Sequence, residues 1–475
     1  MVLKRRCKAG LSIERIKEMN ENVQSDPRTV SLQSAVWNSD LTSIALRPDK
    51  LRDAYSTFSH LLPEDNDVTA LDQERTGTCW IFAGLNVMRH HLIRRHSLPG
   101  TFELSQPYVY MCNMMERANL AMEIFLEQLN ANTEDEVLSR RIMDDTFNDG
   151  GNIAQFINIV EKYGVVPVDA FPKSVQGKNT KNIRELLRLT ILPKMVVRRD
   201  DLKSMSRKAF ERFKDALLCD CHRILTYGLG SMPDEFEWNG KQITPLRFLN
   251  EEIKPLVDMS RFVPLINDPR KPYNRVVYTP FGHNVLASND VGQEALSNKM
   301  TNVFLNVDME TMKIAVFNTV SKYQCPVWFA TNYNTFVFKS KSLMSLSVSA
   351  FDDIFGVRFV QPKSSMLSAN VTQPGHAMII VGCHEDGPSD GQSNAKEDGD
   401  DEETKGPTKS FKRWKVENSH GTLGDMKGFL SMSDDYFNEF VLQAFVDPRT
   451  LDNDLVQLFI ERQDPIRLPY PQAVA

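Results

Sequence analysis

The chain of 475 residues is 41% hydrophobic and 25% charged, an ordinary composition for a globular protein with room for two to four domains of roughly 150 residues each. Its formal net charge of −6 excludes the overall basic footprint of a nucleic-acid binder, while a local basic surface stays compatible with it. No run approaches the ~18 consecutive apolar residues of a membrane span, and the seven cysteines (7, 79, 112, 219, 221, 325 and 383) are an odd, scattered set. With no apolar signal-peptide core behind Met1-Val2-Leu3-Lys4-Arg5-Arg6, a reducing compartment is expected, most simply the cytoplasm.

In chain order, residues 1–70 read as a polar extension with one helical stretch around Ile13 to Val23 and another from Leu51 to Leu62, broken by Pro63-Glu64-Asp65-Asn66-Asp67. Residues 71–174 carry helical patterns. Trp80, Ile81, Ala83, Val87, Met88 and Leu92 continue a mostly apolar helix whose first residue is Cys79, and a helix N-terminus favours an anionic sulfur. His90 and His91 read as the polar end of that helix. Ser105-Gln106-Pro107 reads as a helix start, and Ile153 to Tyr163 as a helix ended by Gly164.

Residues 175–290 are again largely helical and rich in Lys and Arg, as in Lys181 to Arg188 and Lys203 to Lys214, and they hold no catalytic motif. Cys219-Asp220-Cys221-His222 lies between helical flanks and lacks a second ligand cluster, so these read as buried thiols and no metal or cofactor is expected. Residues 291–462 change to strands: Val303-Phe304-Leu305, Val327-Trp328-Phe329, Ala377 to Gly382, Arg413 to Glu417 and Gly428 to Met432. Cys383-His384 reads as a loop entrance. The acidic segment 385–410 is almost free of apolar residues and reads as a disordered surface loop. Residues 463–475 hold three prolines and favour an extended tail.

A thiol is a weak nucleophile at neutral pH unless an imidazole takes its proton, a third group orients that imidazole, and donors receive the oxyanion. The chain offers one residue for each role, in the order Gln73, Cys79, His376, Asn418. Any one of them alone is more often a packed or solvated residue; the ordered set of four is specific.

The stretch Gln73-Glu74-Arg75-Thr76-Gly77-Thr78-Cys79-Trp80 resembles the papain-like signature, with Gly two before the nucleophile and an aromatic after it. From position 79 to position 376 is 297 residues, against roughly 130–150 in papain and the cathepsins. With the N-terminal extension, this spacing resembles the bleomycin hydrolase family. Glu103-Leu104-Ser105-Gln106, Asp149-Gly150-Gly151, Tyr163-Gly164-Val165-Val166-Pro167 and Trp414-Lys415-Val416-Glu417-Asn418-Ser419 resemble it too.

The resemblance implies an α+β papain-like fold, a helical lobe and a β-barrel-like lobe, with a large helical insertion and an N-terminal extension. It implies a cytosolic cysteine aminopeptidase with Cys79, His376 and Asn418 catalytic and Gln73 in the oxyanion hole. It also implies a homohexamer, peptide substrates with a free N-terminus, and a tail whose terminal carboxylate at Ala475 anchors the substrate amine. The alternatives are a papain-like endopeptidase, or a nucleic-acid-binding or scaffold protein with a weakened site. That second alternative rests on His420, where the family has Trp covering the His–Asn bond; the smaller, polar ring predicts a wetter and weaker bond.

Overall fold

The computed structural model describes residues 10–52, 57–64, 67–131, 146–278, 302–386 and 410–468. The chain divides into two compact units, Met1–Ala54 with Leu346–Val360, and Tyr55–Ser345 with Gln361–Ala475.

In the first unit the helix Ile13–Gln24 begins at Ser12, whose hydroxyl oxygen accepts the Arg15 N–H at 3.1 Å, and the helix Thr29–Asn38 follows. Neither helix buries a residue; Ile13, Ile16, Val23, Val30 and Trp37 stand exposed. The unit's two chain segments join through a bridge between Leu46 and Ser349, the bond from Ala350 N–H to the Ala45 carbonyl at 2.7 Å, and an Arg47–Asp353 ion pair.

The helix expected from Leu51 to Leu62 is not formed as read. A short helix Pro48–Leu51 ends there, and His60–Leu61 is a strand paired with Cys383 and Gly382. A Cβ on Gly382 would lie 2.6 Å from the Leu61 side chain and 2.8 Å from the His60 carbonyl, so glycine permits this close edge pairing.

The second unit is built on a twelve-stranded sheet among the described residues. Its middle runs Val263–Ile266, Val441–Val446, Val327–Thr331, His376–Glu385, Phe411–Glu417, Phe429–Ser433, each antiparallel to the next. The helix Cys79–His96 packs on the strand His376–Glu385. It is buried on all sides from Cys79 to Ile93, as a helix apolar around most of its circumference must be. The helix Ile153–Tyr163 forms as the sequence predicts, opened by a capping box at Asn152 and closed at Gly164 with φ 74°.

The segment 175–290 does hold the helices Lys181–Val197 and Arg207–Leu229, but it also contributes Val263–Ile266 and Arg275–Tyr278 to the large sheet. Four-residue strands, one interrupted by Pro264 and the other begun by Arg275, carry too little periodicity to announce themselves. Cys221 is buried in the second helix, whereas Cys219 on the same helix is exposed, contrary to the sequence reading. Cys383 and His384 lie within the strand His376–Glu385 rather than at a loop entrance. Nearly all of the acidic segment 385–410 lies outside the described residues. No helix among the described residues is long and apolar enough to cross a membrane.

Candidate active site

Cys79 is the first residue of its helix, and no acidic side chain occupies the first turn. The N–H groups of Cys79 and Trp80 at the helix start therefore favour an anionic sulfur, while those of Ile81 and Phe82 donate to the Thr78 carbonyl. The preceding loop is held from both directions. Thr76 Oγ1 donates to the Gln73 carbonyl at 2.7 Å, Gln106 Nε2 donates to Thr78 Oγ1 at 3.1 Å, and the buried Asp149 carboxylate accepts the Gly77 N–H at 3.0 Å. Asp149 also takes the hydroxyls of Thr180 (2.6 Å) and Tyr110 (3.1 Å) and an ion pair from Arg184, while its carbonyl accepts the Trp80 indole N–H at 2.7 Å.

This explains two glycines in the sequence. A Cβ on Gly77 would sit 2.9 Å from Asp149 Cβ, and one on Gly151 would sit 2.4 Å from the Trp80 ring. The Asp149-Gly150-Gly151 stretch thus grips the loop before Cys79, a role that the sequence alone did not assign.

His376 opens its strand and Asn418 follows the end of Phe411–Glu417. The register of Ile379 opposite Glu417 in these neighbouring strands brings the two side chains together. The His376 Nε2 to Asn418 Oδ1 distance is 2.8 Å, and the Ala377 N–H points to Cys79 Sγ at 3.5 Å.

One backbone group sets the proton arrangement here. The Ser419 N–H can only donate, and it meets Asn418 Oδ1 at 2.8 Å, which fixes that atom as the carbonyl oxygen. His376 must then donate from Nε2, leaving the lone pair of the neutral ring on Nδ1. The Asn418 Nδ2 donors turn to His420 Nδ1 at 3.1 Å and to the Tyr333 hydroxyl at 3.4 Å.

The His420 ring stacks on His376 with centroids 5.1 Å apart and an interplanar angle of 19°, and Tyr333 packs edge-on against His376 at 4.7 Å. Asn418 is 4% exposed and His376 6%. The wetter bond expected from His420 is therefore corrected: its ring lies where it shields the bond, and it adds a hydrogen bond that an indole, which is a donor only, could not accept. Tyr333 had no signal in the sequence, because it reaches the site only through the fold.

Gln73 joins the same site. Its backbone N–H donates to the Ser419 carbonyl at 2.8 Å and its Oε1 accepts the Ser419 hydroxyl at 2.5 Å. One Nε2 hydrogen goes to the Thr76 carbonyl at 2.6 Å, and an amide has a second. The structure thus brings together Gln73, Cys79, His376 and Asn418. Ala475 lies outside the described residues.

Burial pushes the Cys79 thiol above its ordinary value, opposed by the N–H groups of Ala377, Trp80 and Cys79. Burial likewise pulls His376 down to about 4, opposed by the Asn418 bond and reinforced by His420 and Lys339. Each charge alone is disfavoured in this enclosed site. A thiolate and an imidazolium formed together supply each other's counter-charge.

The chain matches known proteins along nearly its whole length. The sequence profile of the family described as Peptidase C1-like matches residues 10–474. The bleomycin hydrolase of Mus musculus is 28% identical over 97% of each chain, and aminopeptidase C of Listeria monocytogenes is 26% identical over 96% of this chain and 97% of its own. The crystal structure of PepW from Lactobacillus rhamnosis superposes with a TM-score of 0.84, covering 98% of this chain and all of that one at 24% identity, which establishes a shared α+β papain-like fold. The chain belongs to the Peptidase C1-like family, as the sequence resemblance implied.

Proposed function

We propose that the protein is a cysteine aminopeptidase of the bleomycin hydrolase type, hydrolysing peptides from a free N-terminus. The observation that carries the chemistry is the Asn418 amide, which holds His376 as an Nε2 donor with Nδ1 open to accept a proton, while the Cys79 thiol lies against the neighbouring Ala377 N–H.

In the mechanism, His376 Nδ1 takes the Cys79 proton and the sulfur attacks the peptide carbonyl. The oxyanion receives the Cys79 N–H and the second Nε2 hydrogen of Gln73. His376 then gives its proton to the leaving amine, and a water, deprotonated by His376, releases the acyl group from sulfur.

The relatives named bleomycin hydrolase and aminopeptidase C support peptide substrates and the aminopeptidase reading. The terminal carboxylate of Ala475 is assigned the substrate ammonium. The exposed Ile13, Ile16 and Val23, on one side of an N-terminal helix that buries nothing, support self-association, and the homohexamer is taken from the family resemblance. A native mass of six chains of 54.2 kDa tests that assembly. The six described cysteines are free thiols, which fits a cytoplasmic location.

The test of function is a panel of free-amine and N-acetylated fluorogenic peptides, assayed with wild type and Cys79→Ala side by side. Free-amine substrates should be cleaved by wild type alone. Equal cleavage of blocked peptides would make the protein an endopeptidase, and turnover by Cys79→Ala would remove the thiol mechanism.

A further inference from the structure

His420 occupies a position that the proposed reaction does not use directly, yet it touches both His376 and the Asn418 amide that orients it. Its Nδ1 lies 3.1 Å from Asn418 Nδ2, and its ring stacks on His376 at 5.1 Å. The backbone around it is held in place: Asp72 and His420 form a β-bridge, and the Gly421 N–H donates to the Leu71 carbonyl at 2.9 Å.

The direction of each bond follows from its donors. The Ser419 N–H fixes Asn418 Oδ1, so Nδ2 is the atom facing His420, and an amide nitrogen can only donate. His420 Nδ1 must therefore carry a lone pair, which requires the ring to be neutral with its proton on Nε2. A protonated His420 would set N–H against N–H and turn the Asn418 amide away. It would also place a cation face to face with the imidazolium that forms on His376 during catalysis.

We propose that His420 is a positioning residue for the hydrolytic reaction: in its neutral form it accepts the Asn418 amide hydrogen and shields the His376 ring, and its protonation disengages the site. This rests on the Cys79–His376–Asn418 reading above.

The charged and titratable groups around His420 are His376 and Tyr333 from the neighbouring strand and loop, Lys339 from the turn Lys339–Lys341, and Asp72 from the bridged segment. Burial foremost, and then Lys339, hold His420 below the ordinary 6.5, with Asp72 opposing. The neutral, engaged form thus persists at neutral pH, and activity falls as pH drops through the lowered value.

The experiment is the pH profile of kcat and KM for wild type, His420→Phe and His420→Asn. Phe retains a flat ring without an acceptor; Asn retains an acceptor close to the Nδ1 position without a titrating group. In His420→Phe, kcat at pH 7 should fall about fivefold, the scale of one neutral hydrogen bond, with KM little changed. In His420→Asn it should recover at least half of that loss. In both variants the acid limb of kcat should move to lower pH.

Iodoacetamide labelling of Cys79 in each variant verifies a folded site. An unmoved acid limb in both variants, or no advantage of Asn over Phe, overturns the role of His420 while Cys79-dependent turnover stands. Full turnover in Cys79→Ala overturns the underlying site and this role with it.

Discussion

Among the described cysteines, Cys112, Cys325 and Cys383 are buried, and desolvation drives the thiols of Cys112 and Cys325 far above their ordinary value and Cys221 up to about 12. Cys79 is buried too, but among the described cysteines it alone opens a helix, with the N–H groups of Ala377, Trp80 and Cys79 against its sulfur; Cys325 also meets an imidazole, His91 Nε2 at 3.4 Å, but without a helix N-terminus. Cys219 is exposed and competes through access alone. An ordinary thiol is under about 1% ionised at pH 6, so mild acidity separates access from activation. Iodoacetamide at pH 6 should alkylate Cys79 first, read by peptide mass spectrometry. Faster labelling of Cys219 would remove Cys79 from the nucleophile's role. The residues that announced themselves in the sequence, Gln73, Cys79, His376 and Asn418, did so through their local neighbours. Tyr333 and the grip of Asp149 on Gly77 depend on contacts across many residues, and local pattern does not carry such contacts.

At the scale of elements, the helix Cys79–His96 and the strand Phe411–Glu417 are joined by buried charge. Glu417 accepts from Asn86 at 3.0 Å and Arg89 at 3.1 Å through one oxygen and from His90 Nε2 at 2.7 Å through the other, while His90 Nδ1 meets Glu64 at 3.2 Å. Both His90 nitrogens face carboxylate oxygens, which only accept, so the ring is an imidazolium. Desolvation opposes that charge, and the bonds to Glu417 and Glu64 overcome it, raising His90 above 6.5. His91, one residue on, is pulled down to about 3 by burial and is neutral, accepting Arg94 Nη2 at 2.8 Å on Nδ1. The sequence reading of both as a polar helix end fails because Glu64 and Glu417, which meet His90, and Cys325, whose Sγ lies 3.4 Å from His91 Nε2, are far away in the chain.

Since Glu417 directly precedes Asn418, this network fixes the strand end that orients His376. Glu417→Gln leaves Arg89 and His90 without their shared counter-charge and should destabilise the fold by about 3–5 kcal/mol in chemical denaturation. The His90 contribution has a definite pH sign. Its folded value is raised, so its stabilisation is full below 6.5 and is lost as pH rises through that raised value. The stability difference between wild type and His90→Leu should therefore shrink from pH 6 upward. A difference that grows from pH 6 upward would mean that His90 is held neutral, and a constant one that folding leaves its proton affinity unchanged.

For the whole molecule, the long helices were legible from patterns that run for several turns, and strands such as Val327–Thr331 and His376–Glu385 from continuous apolar runs, whereas the central strand Val441–Val446 was not read. The short strands Val263–Ile266 and Arg275–Tyr278, which complete one side of the sheet, were not. That side is where the C-terminal segment joins the fold. Ile466–Arg467 pairs in parallel with Val277 and Tyr278, the Leu468 N–H donates to the Tyr278 carbonyl at 2.8 Å, and Leu468 is fully buried with Ile266, Val277 and Phe304.

The segment leading into the tail is thus anchored to the sheet up to Leu468, with seven residues beyond it in the sequence. Fully extended, seven residues span at most about 23–25 Å, so under the proposed role of Ala475 an anchored start would limit the reach of its carboxylate and lower the entropy lost on meeting an ammonium. A carboxylate held in the cleft would pair with a free amine and exclude a chain that continues past it; acetylation removes the pair and adds bulk. Deleting residues 470–475 should leave the sheet pairing at Ile466–Arg467 and the Cys79 chemistry intact. It should lower cleavage of free-amine substrates roughly tenfold, the loss of one charge-assisted bond, and raise cleavage of N-acetylated and internal peptide bonds. The ratio of the two activities, measured on the truncated and full chains with Cys79 titrated to equal active-site concentration, decides it. An unchanged ratio would detach the aminopeptidase specificity from the tail and require another group to hold the substrate amine.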